Sequence, residues 1–191
     1  MGEYVTEEFK PAFHFEVGEE GWRVWAPEAA DLTLLAYGPE VQYTYDVEVL
    51  SFINPPVVYD TRDPRKRIPA PENTAEWVSW FQSHPNLDTS KPVPVTVGGA
   101  SGEAIEVTGI NAPGTFRDLY RQFCGAQPCV PLMLASTGNF IGPYAGTKYQ
   151  FVIVDVGGET VISIIGAPAD NFSEFLPRGQ KILDTVEWKG E

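Results

Sequence analysis

Hydrophobic and polar residues alternate in several short stretches of this chain, a pattern typical of half-buried β-strands. Near the start, Phe13, Phe15 and Val17 are separated by single polar residues. The stretch 22–26 alternates in the same way after the turn-forming residues 18–21. The two stretches together predict an N-terminal β-hairpin.

The clearest strand pattern lies in the second half of the chain. Residues 149–154 and 159–165 are rich in Val, Ile, Tyr and Phe, which fit a pleated sheet surface. Gly157 and Gly158 lie between them and favour a tight turn, so we predict a second hairpin. Shorter strands are predicted at 31–37, 46–53, 92–97, 103–107 and 130–135.

Two other stretches place their apolar residues at helical spacing. Trp77, Trp80 and Phe81 fall on one face of a helix that Asn73 begins as a capping residue. A closing helix follows Asp170 and also carries an apolar face. The order of strands and helices predicts an α+β fold, with an antiparallel β-sheet flanked by helices in α/β/α layers.

The domain organisation follows from length and polarity. Residues 1–11 are polar and charged and are expected to form a flexible N-terminal segment. Residues 12–191 are enough for one hydrophobic core, so we predict a single α+β domain. Residues 54–71 are predicted to be a long proline-containing connection, which is uncommon unless it has a function.

The two hairpins and the closing helix resemble the Mog1/PsbP-like fold family. The matching sequences are Gly-Trp-Arg-Val at 21–24 and Ala-Pro-Ala-Asp at 167–170, and the segment 175–188 is similar to the C-terminal helix of exported bacterial members. The resemblance implies an antiparallel sheet between helices and binding of protein partners rather than catalysis. Members include photosystem accessory proteins and a Ran-binding factor, but none of their functional residues matches a position here.

The charge of the chain narrows the classes of partner. Its net charge of −13 excludes nucleic acid as a partner, because nucleic-acid binding needs a basic surface. The same charge is unfavourable for docking on an anionic membrane. No run of about 18 apolar residues occurs, so no transmembrane segment is predicted. The first residues carry no signal-peptide pattern, which is expected of a mature chain whose signal segment is absent.

The chain contains two cysteines, Cys124 and Cys129, with Gly125 and Pro128 between them. These turn residues favour a local disulfide, which persists in an oxidising compartment. The alternative is a pair of reduced thiols in a loop. We predict the disulfide, and with it an extracellular or cell-envelope location.

Catalytic and cofactor motifs are missing from the sequence. The two histidines, His14 and His84, lack the context of a catalytic triad, and His84 ends a helix where a cation would interact with the helix dipole. No set of residues has the spacing of a zinc or EF-hand site, and no phosphate-binding loop occurs. We therefore predict no catalytic residue, no metal site and no cofactor.

The candidate binding residues lie in and near the long connection. Arg62, Arg65, Lys66 and Arg67 form a basic run on an acidic chain and could dock an acidic partner or an anionic ligand. The simpler alternative is a solvated loop. Tyr59 and Trp80, with Tyr37, Tyr43 and Tyr45, suggest an aromatic cleft beside it, although Trp80 is most simply explained as a core residue.

These observations lead to a functional hypothesis with two alternatives. We expect a non-catalytic exported binding or accessory domain that recognises a protein or small ligand through its loops. The first alternative is an enzyme of unrecognised type that uses carboxylates and tyrosines in a cleft, and the second is a scaffold with a large symmetric interface.

Overall fold

The computed structural model describes residues 1–28, 31–36, 48–112, 127–135 and 140–189, with residues 114, 116 and 124. Its strands in chain order are β1 (Gly2–Thr6), β2 (Phe13–Val17), β3 (Trp22–Glu28), β4 (Asp31–Ala36), β5 (Glu48–Ile53), β6 (Val57–Tyr59), β7 (Arg67–Pro69), β8 (Leu87–Thr89), β9 (Val93–Val97), β10 (Ala100–Gly109), β11 (Met133–Leu134), β12 (Phe140–Ile141), β13 (Thr147–Val156), β14 (Glu159–Pro168) and β15 (Glu187–Trp188). Its described helices are α1 (Thr74–Ser83) and α2 (Phe172–Leu183).

A large antiparallel sheet forms the centre of the described structure. Its strand order is β3-β4-β5-β14-β13-β10-β8, and β9 also pairs with β10. The predicted hairpin of β13 and β14 is confirmed, with Val156 opposite Glu159 across the turn. Gly157 and Gly158 both have positive φ in that turn, a conformation that costs glycine little. Ile162 and Val161 are both fully buried, so this hairpin is covered on both faces.

One face of the central sheet is covered by α2 and by a three-stranded sheet of order β1-β2-β15. Phe13 and Phe15 of β2 pack on Phe52 of β5, with ring centroids 4.7 and 5.7 Å apart. Trp188 of β15 donates an indole hydrogen bond of 2.8 Å to the carbonyl of Val97. The small sheet is thereby joined to the central sheet by aromatic packing and by a hydrogen bond.

The opposite face is covered by α1 and by a sheet of order β12-β11-β6-β7. Phe81 of α1 packs on Phe151 of β13 with the ring centroids 4.5 Å apart. The predicted N-cap of α1 is confirmed, because Asn73 accepts a hydrogen bond of 3.0 Å from the Glu76 N–H. The N-terminus of α1 is also fixed to the central sheet, since the Thr74 N–H donates to the Asp155 carboxylate at 3.2 Å.

The predicted α/β/α layering is wrong. Antiparallel β-strand is the predominant secondary structure of the described residues, and each face of the central sheet is covered by one helix together with a small sheet. Apart from β2, the strands of these small sheets have only two to five residues and carry no clear alternating pattern. The fold is therefore β-rich. No helix in the described part of the chain has the length and apolar character needed to cross a membrane.

The N-terminal region differs from its predicted arrangement. The strands β2 and β3 exist as expected but do not form a hairpin, because β2 pairs with β1 and β15 whereas β3 pairs with β4. The segment 1–11, expected to be a flexible lead-in, contains β1 and the buried Phe9. The single domain over residues 12–191 stays a prediction.

Candidate functional site

The basic run lies at the tip of a β-hairpin rather than in an irregular connection. Strands β6 and β7 pair within the region predicted to be a loop, with Tyr59 opposite Arg67. We call residues 60–67 the basic hairpin. Its ends are joined by hydrogen bonds from the Asp60 N–H to the Lys66 carbonyl at 3.0 Å and from the Lys66 N–H to the Asp63 carbonyl at 2.9 Å.

Two aspartates fix the backbone of this tip. The Asp60 carboxylate accepts a hydrogen bond from the Arg62 N–H at 2.8 Å, and the Asp63 carboxylate accepts one from the Arg65 N–H at 3.2 Å. Such short Asp-to-backbone bonds are a usual way to stabilise a turn. The basic side chains thus project from a backbone that is already ordered, which lowers the entropy cost of binding.

The charges of the basic hairpin are only partly neutralised within it. Asp63 binds the Arg65 guanidinium through both carboxylate oxygens, at 2.8 and 3.1 Å, and lies 4.0 Å from the Lys66 ammonium. The side-chain hydrogen bond from Arg65 lowers the pKa of the Asp63 carboxyl, so Asp63 stays ionised. Arg62 and Arg67 are also exposed. Four cations and two carboxylates give the hairpin a net positive charge on a chain of charge −13.

Of the two aromatic candidates, Tyr59 is buried directly beside the basic hairpin. Tyr59 is only 4% exposed, and its ring faces Phe140 at 6.5 Å between centroids. Burial raises the pKa of the Tyr59 hydroxyl, although the charge of Arg67 acts in the opposite direction. Tyr59 therefore supports the hairpin from below. The other tyrosines of the proposed cleft, Tyr37, Tyr43 and Tyr45, lie outside the described residues.

Trp80 lies on α1 and packs mainly against residues of its own helix. Its ring contacts Phe81 edge-on at 5.1 Å and His84 edge-on at 5.5 Å, with Trp77 5.7 Å away. Its indole N–H is buried and has no hydrogen-bond acceptor among the described residues. Burial lowers the pKa of His84 to about 4, so the imidazole is neutral at pH 7. The expected interaction of a charged His84 with the helix dipole is therefore absent at neutral pH.

The cysteines form the predicted disulfide, joining Cys124 to Cys129 with their Cα atoms 5.8 Å apart. Both cysteines are buried. The N–H of Gln127 donates to the Cys124 carbonyl at 3.1 Å, which closes a turn inside the bridged segment. Cys129 forms an isolated antiparallel bridge with Tyr144, so the disulfide connects this turn to the chain that leads into β13.

A polar cleft of about 390 Å³ lies beside the N-terminus of α1. It is the candidate for the carboxylate-lined cleft that the enzyme alternative requires. Glu72 and Glu159 line it, and Glu159 accepts a hydrogen bond of 3.2 Å from the Asn54 amide. No tyrosine is among its described lining residues. In the described ranges, no three His, Cys, Asp or Glu side chains are grouped to hold a metal ion. The combination of carboxylates and tyrosines expected of the enzyme alternative is thus not assembled there.

The sequence did not point to Arg178, which links α2 to the edge of the central sheet. Its guanidinium lies 2.7 Å from the Glu19 carboxylate and 3.3 Å from that of Glu48. It also lies 5.6 Å from the ring centroids of both Trp22 and Phe175. Partial burial raises the pKa of Glu19, but hydrogen bonds from Arg178 and Trp22 outweigh it, and the net pKa is lowered. The sequence signal that could have identified Arg178 is its position at helical spacing from the apolar residues of α2.

Comparisons with known proteins show similarity to this chain at the level of structure alone. No family model matches the chain, and no curated protein matches it either. The crystal structure of LpqN, a Mycobacterium tuberculosis protein involved in cell envelope biogenesis, aligns with 10% sequence identity and a TM-score of 0.44. The alignment covers 99% of this chain and 91% of that one. Membership of the Mog1/PsbP-like family is not confirmed.

Proposed function

We propose that this chain is an exported, non-catalytic accessory domain that binds an acidic protein segment through the basic hairpin. The carrying observation is that Arg62, Arg65, Lys66 and Arg67 are all exposed on an ordered turn of a strongly acidic chain. Complementary charge of this kind accelerates encounter and favours the correct partner. The Cys124–Cys129 disulfide supports export, since such bonds persist outside a reducing cytosol.

The basic side chains of the hairpin differ in their contacts and therefore in their proposed roles. Asp63 holds Arg65 against the turn, so Arg65 contributes to the shape of the surface as well as to its charge. Arg62 and Arg67 have no comparably short carboxylate contact among the described ion pairs and are the principal contacts for a partner carboxylate. Lys66 lies 4.0 Å from Asp63 and adds a flexible third charge.

A binding assay with a defined acidic probe tests this proposal. We would titrate a fluorescein-labelled hexaglutamate peptide with the protein and follow fluorescence anisotropy at two salt concentrations. The test variant is Arg62→Gln/Lys66→Gln/Arg67→Gln. The control variant, Lys10→Gln/Lys91→Gln/Lys181→Gln, removes three exposed cations elsewhere and changes the net charge by the same amount.

The expected result is binding that weakens as salt is raised and that falls at least tenfold in the hairpin variant. A tenfold loss corresponds to about 1.4 kcal/mol, which three surface charge contacts can supply. The control variant should bind within about twofold of the wild type. Equal losses in the two variants, or no binding by the wild type at low salt, would contradict the proposal.

A further inference from the structure

A second, chemically different surface lies on the other side of the central sheet. A groove of about 310 Å³ runs between β1 and the adjoining parts of β3 and β4. Phe9, Phe15 and Leu32 line it and are at most 5% exposed. Tyr4 stacks on Phe15 with ring centroids 5.1 Å apart and an interplanar angle of 11°. A concave apolar surface of this volume is within the range of small-ligand sites.

The rims of this groove expose apolar side chains to solvent. Val5 on β1 is 52% exposed, and Val24 on β3 is 37% exposed. A single exposed apolar residue is ordinary, but here two of them line the same groove. Both strands are edge strands of their sheets, so no described strand covers either rim.

The charged residues of the groove favour a ligand with positive charge. Glu7 and Glu8 line it beside Tyr4. The Lys189 ammonium lies 3.9 Å from the Glu7 carboxylate, whose side chain is 83% exposed, so Glu7 is partly neutralised. Glu8 has no ion-pair partner within the described ranges. The faces of aromatic rings also attract cations, so the ring of Tyr4 and the carboxylate of Glu8 favour the same charge.

We propose that this groove binds a small organic cation with an apolar body, of the class of long-chain amines. The apolar body would lie on Phe9, Phe15 and Leu32, and the ammonium group would lie near Glu8 and Tyr4. This site is separate from the basic hairpin and prefers the opposite charge. It neither depends on the proposed binding of acidic segments nor supplies evidence for it.

The test compares three ligands that share one apolar chain: decylammonium, decanol and decanoate. Each would be titrated below its micelle concentration or, for decanol, its solubility limit into ¹³C-methyl-labelled protein, with NMR shifts of the Val and Leu methyl groups as the readout. We expect decylammonium to shift the signals of Val24 and Leu32 and to bind more tightly than decanol. Decanoate should bind most weakly of the three.

Three variants separate the contribution of charge from that of shape. Glu8→Gln should weaken decylammonium binding about fivefold, the size of a partly exposed ion pair, and leave decanol unchanged. Val24→Trp fills the groove and should abolish binding of both. Val93→Trp is its control, because Val93 is another exposed valine, 58% exposed, on strand β9. A far-ultraviolet circular dichroism spectrum would establish that each variant is folded.

The alternative outcomes overturn the proposal in different ways. Decanol binding as tightly as decylammonium would mean an apolar site without charge selection. Equal effects of Val24→Trp and Val93→Trp would mean non-specific attraction of an amphiphilic cation to an acidic protein. Shifts confined to residues outside the groove would place the site elsewhere. None of these results would bear on the basic hairpin, which is tested with a ligand of opposite charge.

Discussion

Acidification should destabilise this fold through one buried histidine. His84 is 5% exposed at the C-terminal end of α1, where its Nδ1 accepts a hydrogen bond of 3.2 Å from the Asn86 N–H. Trp80 covers the ring from one side. Protonation would place a charge in this apolar setting and replace the acceptor at Nδ1 with a donor. Burial of the ring lowers the pKa of His84 to about 4.

The magnitude follows from the two pKa values of the imidazole. The folded value is about 4 and the ordinary value is 6.5, and each pH unit of difference is worth 1.36 kcal/mol. The full effect is therefore about 3 kcal/mol. As the pH falls, the unfolded chain binds the proton before the folded protein does. The contribution of neutral His84 to the free energy of unfolding is therefore full above pH 6.5 and is lost as the pH falls towards 4. About 2 kcal/mol of the loss should occur between pH 7.5 and pH 5.

The assay is urea unfolding followed by tryptophan fluorescence at pH 7.5 and pH 5, for the wild type and for His84→Asn. Asparagine can keep an acceptor near the position of Nδ1 but does not titrate. The variant should be roughly 1–3 kcal/mol less stable at pH 7.5, because it loses ring packing against Trp80. Between the two pH values it should lose about 2 kcal/mol less than the wild type. Equal losses in the two proteins, or an NMR titration of His84 near pH 6.5, would refute the reasoning.

Three further predictions concern contacts that fix the fold. Arg178→Met removes two partly exposed ion pairs and two cation–π contacts and should lower the free energy of unfolding at pH 7 by about 1–2 kcal/mol, measured by urea unfolding. Because the pKa of Glu19 is lowered in the folded protein, the difference between wild type and variant should shrink as the pH falls below 4.5. A difference that grows would contradict this prediction. Asp155→Asn weakens the cap on α1 and should cost about 1 kcal/mol in the same assay, with an unchanged unfolding midpoint as the contrary result. Cys124→Ser/Cys129→Ser opens a short loop and should lower the free energy of unfolding by about 2 kcal/mol in the same assay. If protein isolated from its native host carries two alkylatable thiols, the disulfide no longer supports export.

Sequence patterns predicted local elements better than their pairing. The hairpin of β13 and β14 and the helix beginning after Asn73 were predicted because each carries its own signal, a Gly-Gly turn or a capping residue. Strand β2 was also predicted, but its true partners β1 and β15 carry weak sequence signals. Adjacent strands were therefore paired incorrectly.

The candidate site was only partly predictable. The basic residues from Arg62 to Arg67 stand out in an acidic sequence, but the hairpin that presents them depends on β6 and β7, which have three residues each. The sequence position of Trp80 is compatible with a place in the core and with a place in a cleft. Its packing against residues of α1 distinguishes the two. The groove beside β1 depends on the stacking of one sheet on another, which no local pattern encodes.

The central claim, that the basic hairpin is the binding surface, is tested most directly by mapping the contact residue by residue. A ¹H–¹⁵N NMR titration with unlabelled hexaglutamate would do this at low salt. The largest shifts should fall on the amides of residues 60–68, and they should vanish in the Arg62→Gln/Lys66→Gln/Arg67→Gln variant. Shifts centred elsewhere on the described surface, or unchanged in that variant, would contradict it.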